Sequence, residues 1–109
     1  MQAKASARAL RISPYKVRQV LPLIRGKDVN TAAIVLHNTP KKAARLVEKV
    51  LKSAVANAAN NFGMDVDSLK VVIATADHGP RMKRFRPVSH GRAHPYQHRT
   101  CHISVTVAD

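Results

Sequence analysis

The most distinctive chemistry in this sequence lies in residues 79–99, which read GPRMKRFRPVSHGRAHPYQHR. This segment holds six Lys or Arg and three His, and it contains no Asp or Glu. Cations at this density neutralise phosphates, and guanidinium groups also stack on bases, so the segment suits a nucleic acid. The candidate phosphate contacts are Arg81, Lys83, Arg84, Arg86, Arg92 and Arg99, and the candidate stacking residues are Phe85 and Tyr96.

Histidines recur every four residues through and just beyond this segment, as His90, His94, His98 and His102. On a helix this spacing would bring imidazoles together at a zinc ion, but Pro95 would break such a helix. On a strand the side chains would stand about 13 Å apart on one face, too far to share an ion. We therefore expect no metal or other cofactor, and we interpret the histidines as RNA contacts that gain charge below about pH 6.5.

The charge of the whole chain points to the same class of partner. Nineteen Lys or Arg stand against six Asp or Glu, which gives a formal net charge of +13. A polyanion would relieve this self-repulsion, and nucleic acid is the leading candidate. An anionic membrane is disfavoured because no apolar run approaches the roughly 20 residues of a spanning helix. The sequence also lacks a glycine-rich phosphate loop, a carboxylate pair and a Ser/His/Asp arrangement, so we expect no enzyme.

The elements that must position the basic segment follow from hydrophobic periodicity. Alternation over residues 3–10 predicts a strand, and apolar runs over 69–77 and 99–108 predict two more. Ser13 and Pro14 predict the start of a helix that ends at Gly26, with a kink at Pro22. The predicted second helix covers residues 30–37, with Ala33, Ile34 and Leu36 as its apolar residues.

A long helix is the strongest prediction. Thr39 is expected to cap it, Pro40 to begin it and Gly63 to end it. Its apolar stripe consists of Ala43, Leu46, Val47, Val50, Leu51, Ala54, Val55 and Ala58. On the opposite face, Glu48 is spaced to form ion pairs with Arg45 and Lys52.

These elements predict an α+β fold, with three helices packed on one face of a small three-stranded antiparallel sheet. We expect one domain over residues 1–109, with a globular body (1–78 and 100–109) and an extended β-hairpin arm over about residues 79–99. Each side of the hairpin would reach on the order of 33 Å. A two-stranded ribbon is marginal alone, so we expect a surrounding polyanion to hold it in place.

Seven blocks carry a resemblance to a known family: RISPYKVRQV, LIRGK, KKAARLVEKVLKSAVANAANN, DSLKV, GPRMKRFRP, GRA and RTCHISVTV. In these blocks, over nearly its whole length, the chain resembles the ribosomal protein twenty-two family of the large subunit. The resemblance implies a structural, non-enzymatic ribosome component that binds several domains of large-subunit ribosomal RNA and assists subunit assembly. It also implies a body near the mouth of the peptide exit tunnel and a hairpin whose tip lines that tunnel.

The resemblance assigns roles to particular residues. It implies RNA contacts at Ser13, Lys16, Arg18, Arg25, Lys27, Lys83, Arg84, Arg92 and Arg99, and a tunnel tip made of Val88, Ser89, His90, Gly91 and Arg92. We add Lys4, Arg8 and Arg11, the basic residues in and just after the first predicted strand. Val88, His98 and Cys101 depart from the residues that the family commonly has, which makes the tip less cationic.

The resemblance further implies partners and a location. The partners are ribosomal RNA, neighbouring ribosomal proteins at the tunnel and the nascent peptide, with no membrane and no homo-oligomer. The single cysteine fits a reducing compartment, so we expect the cytoplasm and a bacterial-type large subunit, with an organellar ribosome left open. The alternative function is an architectural DNA-binding protein whose basic arm enters a groove.

Overall fold

A computed structural model of the protein describes residues 1–87, 91 and 93–109, and of residues 86 and 93–96 it describes the backbone alone. Across these residues, three helices and a three-stranded antiparallel sheet form the body, and two further strands form a separate hairpin. The predicted α+β class is confirmed. The strands are β1 (Gln2–Leu10), β2 (Lys70–His78), β3 (Met82–Pro87), β4 (Ala93–His98) and β5 (Cys101–Ala108).

The body sheet has the order β1-β5-β2, so the last strand of the chain lies in its centre. Val105 of β5 pairs with Ala5 on one side and with Ala74 on the other. Alternate residues of β5 therefore face the helices, and Ile103, Val105 and Val107 are fully buried there. The predicted alternation along this strand is confirmed, and it fixes which face of the sheet holds the core.

The helices are α1 (Pro14–Arg18), α2 (Val29–Asn38) and α3 (Lys42–Phe62), with 3₁₀ turns at Leu21–Leu23 and Val66–Ser68. Pro14 occupies the first turn of α1 as predicted. However, α1 ends at Arg18 rather than continuing to Gly26. The reason is Pro22, whose ring would clash with the carbonyl group four residues earlier, which belongs to Arg18. A 3₁₀ turn replaces the expected kinked helix.

The predicted start of α3 is wrong. The N-cap residue is Lys41, and Thr39 instead ends α2. The Thr39 hydroxyl donates a hydrogen bond to the Val35 carbonyl group at 2.7 Å, so it is engaged with the preceding helix. The other end of α3 is as predicted, because Gly63 adopts a left-handed φ of 63°.

Arg45 secures the connection between α2 and α3. Its Nη2 atom donates to the carbonyl oxygens of Leu36, His37 and Thr39 at 2.6, 2.8 and 2.8 Å. Its Nη1 atom lies 3.2 Å from Glu48, which also lies 3.7 Å from Lys52, so both predicted ion pairs are confirmed. Arg45 thus adds donors at the end of α2, where the carbonyl groups of Leu36 and Thr39 also accept from the amides of Thr39 and Lys41.

The core lies between α3 and the sheet. The buried stripe of α3 includes Val47, Val50 and Leu51, while Leu46 and Val55 are half-buried at its margins. Cys101 at the start of β5 is fully buried, and burial raises the pKa of its thiol. The nearby Asp77 carboxylate raises that pKa further, and the Arg18 guanidinium opposes the shift.

Substituting Arg45 tests the role of its fork-shaped guanidinium group. We expect Arg45→Lys to lower the free energy of unfolding by about 1–2 kcal/mol, because lysine keeps the charge but cannot place one nitrogen on the carbonyl groups and another on Glu48. Urea unfolding measures this change. Lys49→Ala, an exposed substitution on the same helix, should stay within about 0.5 kcal/mol of the wild type. An Arg45→Lys protein as stable as wild type would contradict this role.

Cys101 predicts a dependence on pH. Its pKa is raised by folding, so the buried thiol stabilises the fold below the pKa of an unfolded thiol, about 8.5. This contribution is lost as pH rises through the folded pKa, and the free energy of unfolding should fall. A Cys101→Val variant should show a smaller fall over the same pH range. At pH 8 the native thiol should react with a disulfide reagent far more slowly than the urea-unfolded protein does. Equal rates would contradict the burial.

Candidate nucleic-acid interface

The hairpin arm consists of β3 and β4, which pair in antiparallel register from Met82 opposite His98 to Pro87 opposite Ala93. It forms a sheet of its own, separate from the body sheet. The protein measures 63 × 26 × 16 Å along its principal axes. Its Cα radius of gyration is 17.0 Å, compared with about 13 Å for a compact chain of this length. The basic segment is therefore extended.

A tight junction connects the arm to the body. The Gly79 amide donates to the Thr100 carbonyl oxygen at 3.0 Å, and the Thr100 hydroxyl donates back to the Pro80 carbonyl oxygen. A Cβ atom on Gly79 would lie 2.5 Å from Thr100 Oγ1 and 3.3 Å from the Thr100 carbonyl carbon. Thr100 is only 4% exposed, so its side chain has little room to move. A residue without a side chain is therefore needed where the two segments pair at the base of the arm.

The arm cations whose side chains the structure describes lie on its surface. Arg81, Lys83, Arg84 and Arg99 are all exposed, as is the ring of Phe85, at 70%. Arg81 donates to Gln97 across the hairpin at 3.4 Å, and Arg84 donates to the Lys83 carbonyl oxygen at 2.9 Å. These neutral partners leave the positive charge uncompensated.

Some predicted arm residues cannot be placed. The predicted tip residues Val88, Ser89, His90 and Arg92 lie outside the described residues, and so do the side chains of Arg86, His94 and Tyr96. The remaining tip residue, Gly91, has a φ of 71°, which is the left-handed region that favours glycine.

The body carries predicted RNA contacts on the open face of its sheet. In β1, Lys4 and Arg8 are exposed, and they alternate with alanines that face the helices. Ser6 and Ser104 share a hydrogen bond at 2.9 Å on this open face. Of the other predicted contacts, Arg11, Lys16 and Lys27 are exposed, and Ser13 is half-buried.

Arg18 and Arg25 have a structural role that sequence reasoning did not anticipate. Arg18 donates through Nε and Nη2 to the Ala76 carbonyl oxygen at 3.0 and 2.8 Å. Arg25 does the same to the Ala74 carbonyl oxygen at 3.1 and 2.7 Å. Both carbonyl groups belong to β2, an outer strand of the body sheet. The two side chains therefore cover a strand edge that would otherwise be open.

The backbone continues this cover along β2. Gly26 donates to the Val71 carbonyl oxygen at 2.9 Å, and Val71 donates to that of Lys27 at 2.9 Å. Each of the two arginines still has three N–H groups beyond those used on β2. They lie beside a surface cavity of about 330 Å³ that Asp77 also lines. Both side chains are exposed, so their charge faces solvent, but fewer of their N–H groups remain for a partner.

His102 has a structural role as well. Its Nδ1 atom accepts a hydrogen bond from the Ala9 amide at 2.9 Å, so this nitrogen carries no proton there. Ala9 has a φ of 55°, at an irregularity in the pairing of β1 with β5. His102 thus stabilises a strained bulge in β1. The sequence shows only a histidine within a strand, which does not indicate this role. Among the residues that the structure describes, no three His, Cys, Asp or Glu lie close enough together to hold a metal ion.

Sequence reasoning missed three residues on the body surface. Lys41 and Lys42 precede and begin α3, and they line a concave pocket together with Arg11 and Lys16. Tyr15 is 70% exposed and follows the buried Pro14. The two lysines directly follow Pro40, and this position could have indicated a cationic helix start. The incorrect prediction that α3 begins at Pro40 placed them inside its first turn instead.

A comparison with protein-family models matches residues 5–108 to the family described as Ribosomal protein L22p/L17e. The chain belongs to this family. It is therefore a structural constituent of the large ribosomal subunit, in a family that is not enzymatic and whose partners are ribosomal RNA and ribosomal proteins. In the part of the chain that the structure describes, no helix is both long and apolar enough to cross a membrane.

The junction between arm and body yields a mutational test. We expect Gly79→Ala to lower the free energy of unfolding by about 1–3 kcal/mol, because the new methyl group meets a fixed hydroxyl. Thermal or urea unfolding measures the change.

A double-mutant cycle isolates the cause. In a Thr100→Ala background, Gly79→Ala should cost about 1 kcal/mol less, because the opposing oxygen is gone. A Thr100→Ser background keeps that oxygen and should keep the full cost. The same cost in all three backgrounds would show that another contact opposes the methyl group.

Proposed function

We propose that this L22-family protein binds large-subunit ribosomal RNA through exposed cations on its arm and body, and that its hairpin arm inserts between RNA segments. The observation that carries the proposal is the extended basic hairpin, on which the exposed Arg81 and Arg84 donate to neutral groups of the chain. Burying such a ribbon against protein would leave those charges unpaired. RNA phosphates supply the missing negative charge.

The proposed contacts form two groups. On the arm they are Arg81, Lys83, Arg84, Arg86, Arg92 and Arg99. On the body they are Lys4, Arg8, Arg11, Ser13, Lys16, Arg18, Arg25 and Lys27. Because Arg18 and Arg25 donate to β2, they would reach RNA only through their remaining N–H groups. Phe85 would stack on a base, and Tyr15 is a further exposed ring suited to stacking.

The proposal extends to the position of the protein in the subunit. We take residues 1–109 as one domain, with the body at the mouth of the exit tunnel and the arm pointing inward. A long axis of 63 Å gives the arm the reach for this arrangement. The tip, residues 88–92, would line the tunnel and meet the nascent peptide. The protein would act as a single copy beside neighbouring ribosomal proteins, in a bacterial-type cytoplasmic ribosome. It would assist assembly by fixing RNA segments relative to one another.

Salt-dependent binding tests the arm contacts. Lys83→Gln/Arg84→Gln should weaken binding to large-subunit ribosomal RNA and reduce the slope of log K against log salt by about 2, because two phosphate contacts are lost. The matched control is Lys52→Gln/Lys70→Gln, which removes the same charge from exposed lysines outside the proposed interface. The control should bind like the wild type.

Competition with duplex DNA separates the proposed function from an architectural DNA-binding function. Wild-type protein on ribosomal RNA should survive an excess of duplex DNA, because the arm fits folded RNA and not only phosphates. If duplex DNA competes equally, the DNA-binding function is favoured. If the arm variant and the lysine control lose equal affinity, the arm makes no specific contact.

A further inference from the structure

A concave pocket lies where the end of β1, the helix α1 and the start of α3 meet. Its volume is about 400 Å³. It is lined by Arg11, Ile12, Lys16, Gln19, Lys41, Lys42 and Ala43. Four of these seven residues are cationic, and none is acidic. The lining comes from chain segments about 30 residues apart in sequence, so the fold itself brings the charges together.

These four cations have no carboxylate partner among the ion pairs of the described residues. Those pairs are Met1 with Asp109, Arg45 with Glu48, and Lys52 with Glu48. The side chain of Lys42 donates to the Arg11 carbonyl oxygen at 3.3 Å, which ties the two sides of the pocket together without neutralising either charge. Like charges held around one concavity repel each other, and an anion at its centre relieves the repulsion.

The start of α3 adds to this imbalance. Lys41 is at the N-cap and Lys42 follows it, although the positive end of the helix dipole disfavours cations there. The first turn of α3, all of which the structure describes, contains no acidic residue, and no side chain caps it with a hydrogen bond. The lysines at the helix start and the missing side-chain cap both disfavour the helix, and both lie beside a cationic pocket. Such local costs are expected at a functional site rather than at a stabilising one.

We propose that this pocket binds a phosphate group of the ribosomal RNA backbone. The site rests on the proposed function and adds Lys41 and Lys42 to its contacts. The four cations that line the pocket suit a phosphate, which is the same at every position of the RNA backbone, so the pocket would contribute affinity rather than sequence preference. Gln19 at the rim supplies an amide that suits a ribose hydroxyl group.

The first test compares two charge-matched double variants of the full chain. Lys41→Gln/Lys42→Gln should reduce the salt slope of binding to large-subunit ribosomal RNA by about 2. Lys52→Gln/Lys70→Gln should leave the slope unchanged. Circular dichroism and thermal unfolding establish that both variants are folded. A pocket variant that binds with the same slope as the lysine control overturns the inference.

The second test uses the wild-type protein and does not depend on a variant folding. Lysines of the free protein and of its complex with ribosomal RNA are acetylated briefly, and mass spectrometry compares the sites. Bound RNA should protect Lys16, Lys41 and Lys42 and leave Lys52 and Lys70 reactive. Equal acetylation of the pocket lysines with and without RNA overturns the inference.

The outcomes distinguish the pocket from the wider function. If the wild type binds ribosomal RNA with a steep salt dependence but the pocket lysines stay reactive, only the pocket assignment is wrong. If the wild type shows no preference for ribosomal RNA over duplex DNA, the proposed function fails and the pocket with it. The acetylation is repeated a third time with inorganic phosphate at millimolar concentration in place of RNA. Protection of these lysines by phosphate but not by RNA would show a free-anion site and overturn the assignment to RNA.

Discussion

The pairing of β2 with β5 determines both the body and the arm. These strands lie side by side in the body sheet, and their register ends with His78 opposite Cys101. Beyond that pair the two segments leave the core side by side, joined by the hydrogen bond from the Gly79 amide to the Thr100 carbonyl oxygen. The arm is therefore anchored by the same ladder that buries Val105 and Val107. Its charges are carried away from the apolar core, which keeps the core free of uncompensated cations.

The net charge of +13 divides into groups with different tasks. Arg45, Arg18 and Arg25 direct their guanidinium groups at backbone carbonyl oxygens, those of Arg45 at the end of α2 and those of Arg18 and Arg25 on the outer strand β2. Lysine could not replace Arg18 or Arg25, because it lacks the planar fork that reaches one carbonyl oxygen from two nitrogens. Nor could it replace Arg45, which places one nitrogen on carbonyl groups and another on Glu48. These three arginines are exposed and keep their charge, but part of their hydrogen-bonding capacity is used within the chain.

The sequence predicts those parts of the fold in which one pattern dominates. The stripe of α3, the alternation of β5 and the end of α3 at Gly63 were all predicted, because each depends on a strong periodic or conformational signal. The start of α3 is not predicted correctly. The Thr39 hydroxyl group could either cap α3 or bond to α2, and it donates to the Val35 carbonyl oxygen of α2. Propensity alone cannot rank a capping bond within one helix against a bond to the helix before it.

The candidate interface divides in the same way. Exposed cations on the arm follow from composition and from the flanking strands. Arg18, Arg25 and His102 needed three-dimensional information, because their partners are backbone groups 58, 49 and 93 residues away in the chain. The cluster of Lys41 and Lys42 with Arg11 and Lys16 also forms only when the helices pack.

The sites that break local rules share one remedy. Cations at the positive end of α3 and like charges on the hairpin each oppose the stability of the isolated chain. A body with a continuous buried core can tolerate these costs, because the unfavourable groups lie on its surface and the stabilising contacts do not involve them. Binding a polyanion removes both costs at once, and the free energy released contributes to binding in the same way that ligands stabilise the states they prefer. The surface is therefore arranged for a partner, while the core is arranged for folding, and the junction at Gly79 is the place where the two requirements meet.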